Sequence, residues 1–307
     1  MKKLSEGRKM WASVMVIFVM YAAIFILFED YDRRWLQPFN EVSDWHLLFF
    51  SLVVLAGLAW LLHHYALRMD ERISREQAEK EALMRRELTQ NIAHELKTPV
   101  ASILGYMETL LDTPAMDEDT RQQFIRRSHA QAQRLTALLQ DISTLNRMDY
   151  APDVLSIERV DVSQLFADIA QETAAAMERR QMTLQNCLPH DIIVHGNPSL
   201  LYSVFRNLID NAVNYAGEGT TVKVSATETA AQWLFHVADN GAGVASEHLP
   251  RIFERFYRLD KGRSRSLGGT GLGLAIVKNA VQLHGGTISA HPTPGGGLTF
   301  DFSLTKG

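Results

Sequence analysis

Two long apolar segments near the amino terminus divide this chain into a membrane part and a much longer polar part. Trp11 to Phe28 contains no formally charged residue, and neither does Leu47 to Leu67, which has His63 and His64 near its end. A run of ~20 apolar residues is long enough to cross a bilayer core. We therefore predict transmembrane helices over residues 11–28 and 47–67. A cleaved signal peptide is the alternative for the first segment, but acidic residues follow Phe28 where small ones are needed for cleavage.

The charges beside these segments predict the orientation of the chain. Residues 1–10 contain several lysines and an arginine, whereas acidic residues predominate in the loop of residues 29–46. Because Lys and Arg favour the cytoplasmic side, we expect both termini in the cytoplasm and a short extracytoplasmic loop. A loop of this length cannot bury a core of its own.

Composition narrows the classes of protein that remain. A chain of 307 residues has room for two soluble domains besides the membrane segments. The formal net charge of -4 gives no basic footprint for nucleic acid, so we expect no nucleic-acid partner. Cys187 is the only cysteine, which excludes an internal disulfide and an all-cysteine metal site.

The pattern after the second apolar segment predicts a helical path that ends in a hairpin. Residues 68–87 are highly charged with apolar residues at helical spacing, which indicates either a signalling helix or a solvated spacer. Residues 88–150 then form two helices with a turn near Asp112-Thr113-Pro114 and an N-cap at Asp117. The second helix should carry one apolar face, listed as Phe124, Ala132, Leu135, Leu139, Ile142 and Leu145. A single hairpin exposes apolar surface, so two chains should pair into a four-helix bundle.

Residues 151–307 change to a pattern of mixed helices and strands. Helical periodicity covers Ser163 to Arg180 and Pro198 to Tyr215, while Thr221 to Ser225, Trp233 to Val237 and Leu298 to Phe302 alternate with period two. A shorter strand is predicted at Ile192 to Val194. The pattern indicates a second domain of the α+β type.

His94 is the first candidate for chemistry, within the string Asn91-Ile92-Ala93-His94-Glu95-Leu96-Lys97-Thr98-Pro99. With an unperturbed pKa near ~6.5, histidine presents a neutral ring nitrogen that can accept a phosphoryl group. Glu95 follows directly and can accept a proton from the other ring nitrogen. Thr98 lies one helical turn further on the same face, where its hydroxyl can orient a water. Taken alone, a histidine in a helix is more often an ordinary surface residue.

Three further motifs are suited to binding a nucleotide. Asn207 and Asn211 lie one turn apart on a helix, and an amide oxygen is a suitable Mg²⁺ ligand, although two surface asparagines would give the same pattern. Asp239, Gly241 and Gly243 follow a strand, where a carboxylate can accept a hydrogen bond from an adenine amine or simply form a turn.

Gly268-Gly269-Thr270-Gly271-Leu272-Gly273 opens into a helix, whose first amides attract phosphate. The run lacks the Gly-Lys-Ser/Thr end of a P-loop and the spacing of a dinucleotide fingerprint. The basic stretch from Arg251 to Arg265, just before it, is predicted to form a lid over ATP, with a solvated loop as the alternative.

Read in order, these motifs resemble those of bacterial membrane-bound sensor histidine kinases of two-component systems, from about Leu88 to the carboxyl terminus. The resemblance implies a HisKA dimerisation and phosphoacceptor domain over residues 88–150. It also implies a HATPase_c ATP-binding domain over residues 151–307, with the α/β sandwich of the GHKL fold. The chain would be a homodimer in the inner membrane, crossing it more than once. Its partner would be a response regulator on a separate polypeptide.

The same resemblance implies a role for each motif. His94 would be phosphorylated, Glu95 would be the general base, and Thr98 would serve a phosphatase activity toward the regulator. Asn211 would hold Mg²⁺. The remaining ATP-binding residues would be Asn207, Tyr215, Asp239, Gly241, Gly243, Arg258, Gly269, Thr270, Gly271, Leu272 and Gly273.

One position departs from this pattern. Many relatives have Lys or Arg three residues after the metal-binding Asn, and this chain has Asn214. A lid cation such as Arg258 or Lys261 would then supply the missing phosphate contact. Two alternatives stay open: a sensor that acts mainly as a phosphatase, and an ATP-binding membrane scaffold with weak kinase activity.

Overall fold

The computed structural model describes residues 40–150, 156–259 and 269–306. The first apolar segment, Trp11 to Phe28, and most of the loop of residues 29–46 lie outside this part. The chain divides into two compact units, Met1–Arg86 and Glu87–Gly307.

The first described element is a single long helix, α1 (Asn40–Asp112). Its segment Ser51–Lys80 is the one helix in the described ranges that is long and apolar enough to cross a membrane, with a mean hydropathy of 1.4 in its most apolar window. This candidate overlaps the predicted second membrane helix and starts and ends later than predicted. No break separates it from the charged residues that follow, as the predicted signalling helix requires.

The predicted hairpin is present in the second unit. α1 ends at Asp112, and α2 (Glu118–Tyr150) begins directly after Asp117, whose Oδ1 accepts a hydrogen bond from the Thr120 amide at 2.8 Å. This side chain satisfies an amide that the first helical turn leaves unpaired. Tyr106 and Phe124 meet edge to face across the hairpin, with ring centroids 5.6 Å apart.

The apolar face of α2 is divided between two environments. Leu138, Leu145 and Met148 are buried, and Leu135 and Ile142 are half-buried. Two members of the predicted face, Ala132 and Leu139, are instead exposed. Burial within one chain therefore accounts for part of the predicted stripe and leaves another part on the surface.

The carboxy-terminal domain is a sheet covered on one face by helices. Its elements are β1 (Glu158–Asp161), α3 (Val162–Arg179), β2 (Thr183–Cys187), β3 (Ile193–Gly196), α4 (Pro198–Tyr215), β4 (Thr221–Glu228), β5 (Gln232–Asp239), α5 (Gly273–Leu283), β6 (Ile288–Pro292) and β7 (Leu298–Thr305). The main sheet has the order β2-β4-β5-β7-β6; β2 and β4 are parallel and the other pairs antiparallel. β1 and β3 form a separate antiparallel pair.

The core lies between the helices and the inner face of this sheet. Alternate residues of β5 are buried, as period-two alternation predicts, and Phe205 of α4 packs edge to face on Phe235 and Phe302. Asn197 caps α4 by accepting a hydrogen bond from the Leu200 amide at 3.1 Å, and Pro198 occupies the first helical position. These local signals explain why α4 begins where the sequence predicts.

The hairpin and the carboxy-terminal domain share one apolar core. Leu138, Leu145 and Met148 of α2 belong to the same buried cluster as the interior of the sheet domain, and α2 packs against α5. The helix that begins at the glycine run is therefore held directly against the hairpin.

Candidate functional site

His94 lies on the exposed surface of α1. Lys97, Thr98, Ala101 and Ser102 line a shallow pocket with it. The Thr98 hydroxyl donates a hydrogen bond to the His94 carbonyl oxygen at 3.3 Å, so it shares a helical face with the imidazole, as predicted. The helix continues through Pro99 to Asp112. The imidazole is thus accessible from solvent, which a phosphoryl acceptor requires.

The Glu95 carboxylate faces two arginines. Its Oε2 lies 3.6 Å from Nη2 of Arg134 on α2 and 3.4 Å from Nη2 of Arg258 in the carboxy-terminal domain. The Glu95 side chain is 16% exposed and that of Arg258 only 6%. The candidate base and the candidate lid cation therefore contact each other, which the sequence did not predict.

The candidate residues Asn207 and Asn211 are on α4, and Asn207 lies beside the start of α5. The Asn207 amide nitrogen donates to the Ser203 carbonyl at 2.7 Å, which directs Oδ1 toward Gly273. A Cβ at Gly273 would lie 2.4 Å from that oxygen. Within the described part of the chain, the half-buried Asn211 side chain makes no hydrogen bond, so its amide oxygen is available to a ligand. Tyr215, at the end of the same helix, is 43% exposed.

Asp239 ends β5 in a tightly packed turn. Its Oδ1 accepts hydrogen bonds from the Gly241 amide at 2.9 Å and the Leu298 amide at 3.3 Å. Burial raises the pKa of Asp239, and these two hydrogen bonds oppose the rise. A Cβ at Gly241 would lie 2.2 Å from the Ala216 carbonyl oxygen, so a side chain has no room there. The carboxyl is buried and oriented by backbone amides, as recognition of a polar ligand atom requires.

Gly243 and Gly271 are the glycines that the local backbone requires. Gly243 has φ +69° and would place a Cβ 2.8 Å from the Gly297 carbonyl oxygen. Gly271 has φ +74°, and its carbonyl accepts a hydrogen bond from the Phe256 amide at 2.8 Å. L-residues with side chains rarely adopt this left-handed region. This hydrogen bond joins the glycine run to the first part of the predicted lid.

The rest of the glycine run contacts its neighbours through side chains. Arg258 donates to the Gly269 carbonyl at 2.5 Å, and the Thr270 hydroxyl donates to Asp141 of α2 at 2.7 Å. The Thr270 oxygen also accepts from the Leu272 amide at 3.2 Å. Leu272 is buried and precedes α5, whose first turn has no side-chain cap. Residues 260–268, which include Gly268 and the predicted lid cations Lys261, Arg263 and Arg265, lie outside the described residues.

Several residues of this site carried no signal in the sequence. Asp141 and Asp149 on α2 contact Thr270 and Arg255 through the packing of the two domains, and Arg134 on α2 contacts Glu95 across the hairpin. Burial raises the pKa of Asp141, and the hydrogen bond from Thr270 opposes the rise. Gly297 was also missed, although Gly295-Gly296-Gly297 is visible in the sequence and the last of these packs against the Asp239 backbone.

Family comparisons agree with this geometry. Residues 84–151 match the family model of the His Kinase A (phospho-acceptor) domain. Residues 196–307 match that of the histidine kinase-, DNA gyrase B- and HSP90-like ATPases. The chain therefore contains a HisKA domain followed by a HATPase_c domain, and the second domain implies ATP binding.

Curated relatives that are sensor histidine kinases are similar to this chain over most of its length. The sensor-like histidine kinase SenX3 of Mycolicibacterium smegmatis is 36% identical over 222 residues, which is 72% of this chain and 58% of SenX3. The chain thus spans little more than half the length of this relative.

Two solved structures are similar in fold. ShkA in complex with AMPPNP has a TM-score of 0.53 and 26% identity, covering 69% of this chain and 44% of ShkA. ThkA in complex with the response regulator TrrA has a TM-score of 0.59 and 20% identity, covering 72% and 61%. Together with the two domain matches, the relatives support a two-component sensor histidine kinase.

Proposed function

We propose that this chain is a sensor histidine kinase that uses ATP to phosphorylate its own His94. The observation that carries the proposal is the presence of an exposed His94, directly followed by Glu95, on a hairpin helix in the same compact unit as an ATPase domain.

The proposed reaction is a displacement at the γ-phosphorus of ATP. One ring nitrogen of His94 attacks that phosphorus, the bond to the β–γ bridging oxygen breaks, and ADP leaves with the electron pair. The proton on the other ring nitrogen passes to Glu95, so the product is a neutral phosphohistidine. The protein contributes mainly position and positive charge to such a transfer.

The nucleotide would bind between α4, the Asp239 turn and the glycine run. Asp239 would accept from the adenine amine, with the exposed Tyr215 beside the base. The backbone of residues 269–273 would face the phosphates, together with Gly241, Gly243 and Asn207. ShkA, 26% identical to this chain, was solved in complex with the ATP analogue AMPPNP, which supports nucleotide binding by this chain.

The Asn211 amide oxygen fits a magnesium ion, because it is a hard neutral ligand without another hydrogen-bond partner in the described residues. When bound there, Mg²⁺ would offset the charge of the phosphates. Arg258 would add positive charge at the same place and replace the cation missing at Asn214.

The phosphoryl group would next pass to a response regulator on a separate polypeptide. The regulator's aspartate oxygen attacks the phosphorus, the phosphorus–nitrogen bond breaks, and His94 recovers a proton. In the reverse activity, Thr98 would orient a water that cleaves the regulator's acyl phosphate into carboxylate and inorganic phosphate. ThkA, of similar fold, was solved in complex with the response regulator TrrA, and this chain has a HisKA domain, which together support a response regulator as its partner.

A second copy of the chain would cover the exposed face of the hairpin. Leu104 and Leu111 of α1 are 57% and 78% exposed, and Ile125 and Leu139 of α2 are 43% and 51% exposed. The α1 pair is seven residues apart and the α2 pair fourteen, and apolar residues at this heptad spacing on neighbouring helices form the seam of a helical bundle. We therefore propose a homodimeric four-helix bundle.

The chain would cross the bacterial inner membrane twice, with both termini in the cytoplasm. The exposed apolar segment Ser51–Lys80 supports the second span. The first span is supported by the charge-free run from Trp11 to Phe28 alone.

The test is incubation of the full chain with γ-labelled ATP and Mg²⁺. We expect label that is labile to acid and stable to base, absent from His94→Gln and reduced at least ~100-fold in Asn211→Ala. ATP binding by His94→Gln should equal that of the native chain, because His94 lies outside the nucleotide site. Label that persists in His94→Gln would contradict the proposal.

A further inference from the structure

A stripe of aromatic and cationic side chains runs along α1 where the proposed second membrane span ends. Trp60, His64, Arg68 and Arg72 follow one another at intervals of four residues, and Arg75 comes three residues later. Residues three or four apart on a helix are neighbours on its surface. All five side chains are exposed, so they form one continuous surface, which we call the basic stripe.

The length of α1 places the basic stripe at the cytoplasmic edge of the bilayer. Trp45 and His64 are both on this helix, and at a rise of about 1.5 Å per residue the backbone between them spans about 29 Å. The hydrocarbon core is about 30 Å thick, and Trp is common at both of its interfaces. With Trp45 at the outer interface, His64 lies at the inner edge of the core and Arg68 about 6 Å beyond it, within the headgroup layer.

The membrane end of the basic stripe is an aromatic pair. The Trp60 and His64 rings are stacked, with centroids 5.3 Å apart and planes inclined by 4°. Trp60 is 65% exposed, so its ring is accessible to lipid. Indole prefers the boundary between acyl chains and headgroups because it combines an apolar ring with a hydrogen-bond donor. The pair therefore marks the level of the headgroups, and the three arginines follow on the water side.

The charges of this segment suit an anionic ligand. Three arginines against two acidic residues, Asp70 and Glu71, leave residues 68–75 with one net positive charge. Glu71 is three residues after Arg68 and four before Arg75, so it lies beside the basic stripe and offsets part of its charge. Guanidinium groups bind phosphate through paired hydrogen bonds, and each basic residue at an anionic membrane surface strengthens association about fivefold.

We propose that the basic stripe binds the phosphate groups of anionic phospholipids in the cytoplasmic leaflet. The proposal rests on the second membrane span proposed above and goes beyond the kinase function. The level of Trp60 and His64 favours a lipid over a soluble phosphate, because acyl chains hold a headgroup at that depth. Met69 and Ile73 are exposed on another face of α1, so a second copy of the chain can pack there without covering Trp60, His64 or Arg68.

The test measures the lipid preference of the full chain in nanodiscs without nucleotide. Electron paramagnetic resonance of spin-labelled phosphatidylglycerol and phosphatidylcholine gives the relative association constant of the two lipids. We expect a preference of about fivefold or more for phosphatidylglycerol. Combined replacement of Arg68, Arg72 and Arg75 by Gln should reduce it to less than about twofold, as should about 0.5 M NaCl. Glu71→Gln, which removes an opposing charge, should raise the preference about two- to fivefold.

Two controls separate the basic stripe from other sources of the signal. Lys80→Gln is the matched charge control, because Lys80 lies about 18 Å along the helix from Arg68 and outside the headgroup layer; it should leave the preference unchanged. Inorganic phosphate at millimolar concentration should not displace spin-labelled phosphatidylglycerol. Displacement would assign the basic stripe to a soluble anion and overturn the proposal.

Equal affinity for the two lipids in the native chain, or a preference that the triple variant retains, would also overturn the proposal. Failure of the kinase function would be seen separately, as a chain that prefers phosphatidylglycerol but takes no label on His94. A chain that alkaline carbonate strips from vesicles would overturn the second span and the lipid site with it. The failures are therefore distinguishable.

Discussion

Replacing Gly241 by alanine tests how closely the Asp239 turn is packed. The added Cβ would lie 2.2 Å from the Ala216 carbonyl oxygen and 2.5 Å from the Ala216 Cα. These are backbone atoms at the end of α4, so no flexible side chain can move aside. Overpacking of this kind costs about 1–3 kcal/mol. For a domain of this size, 2 kcal/mol corresponds to a fall in Tm of about 4–8 °C.

The same substitution should weaken nucleotide binding. The Gly241 amide donates to Asp239 at 2.9 Å, and displacement of the turn would rotate the carboxylate that is proposed to bind adenine. Loss of a hydrogen bond to a charged group costs about 1.5–3 kcal/mol, which is roughly a 10- to 100-fold rise in the Kd for ATP.

The assay is calorimetric unfolding of the full chain, followed by titration with ATP at a temperature where the variant is folded. Gly105→Ala is the control, because a Cβ there has no atom within 4 Å and Ala favours the helix by about 0.5–1 kcal/mol over Gly. We expect its Tm to stay equal or rise. A Gly241→Ala chain with native Tm and native ATP affinity would refute the packing argument.

Three further predictions concern other parts of the chain. Leu145→Ala, at a site 3% exposed, should cost about 2–5 kcal/mol in the free energy of unfolding measured by denaturant titration; a cost below 1 kcal/mol would contradict its place in the shared core. Leu139→Ala, 51% exposed, should weaken the proposed dimer in sedimentation experiments while leaving the Tm of the ATP-binding domain unchanged. We expect the native chain to lose stability, measured by thermal unfolding, as the pH falls from 7.5 to 5.5. The His284→Gln variant should lack this loss.

The sign of that pH dependence follows from the surroundings of His284. Burial lowers the pKa of His284, and the hydrogen bond to the Ala280 carbonyl opposes the shift. Nε2 accepts from the Asn197 amide at 2.8 Å, and Nδ1 donates to Ala280 at 2.6 Å, so the ring is neutral. The unfolded chain therefore binds the proton more readily, and stability present above the unfolded pKa near ~6.5 is lost as the pH falls below it. A native chain whose stability does not fall over this range would contradict the assignment.

Elements with local signals were predictable from the sequence. α4 begins and ends at the predicted residues, Pro198 and Tyr215, because a cap, an initial proline and a clear apolar face coincide there. The turn near Pro114 and the cap at Asp117 were predicted for the same reason. β2 was missed, since Thr183–Cys187 is mostly exposed and polar and forms an edge strand through pairing with β4.

In the candidate site, too, the parts with local sequence signals were predictable and the parts without them were not. The motifs around His94, Asn211, Asp239 and Gly271 can be read locally because each chemical role requires particular neighbours. The contacts between the two domains cannot be predicted in this way, because their residues are far apart in the sequence. Asp141 and Thr270 are 129 residues apart, and Asp149 and Arg255 are 106 apart. Such pairs depend on the docking of α2 against α5, and no spacing in the sequence encodes that docking.

The central claim is that the imidazole of His94 accepts the γ-phosphoryl group of ATP. Its most direct test is fragmentation mass spectrometry of the full chain after incubation with Mg²⁺ and ATP, at neutral to alkaline pH so that a phosphorus–nitrogen bond survives. The account predicts a phosphoryl group on His94, lost on mild acid treatment and absent without Mg²⁺. A phosphoryl group on another residue, or none on His94 in a chain that binds ATP, would contradict it.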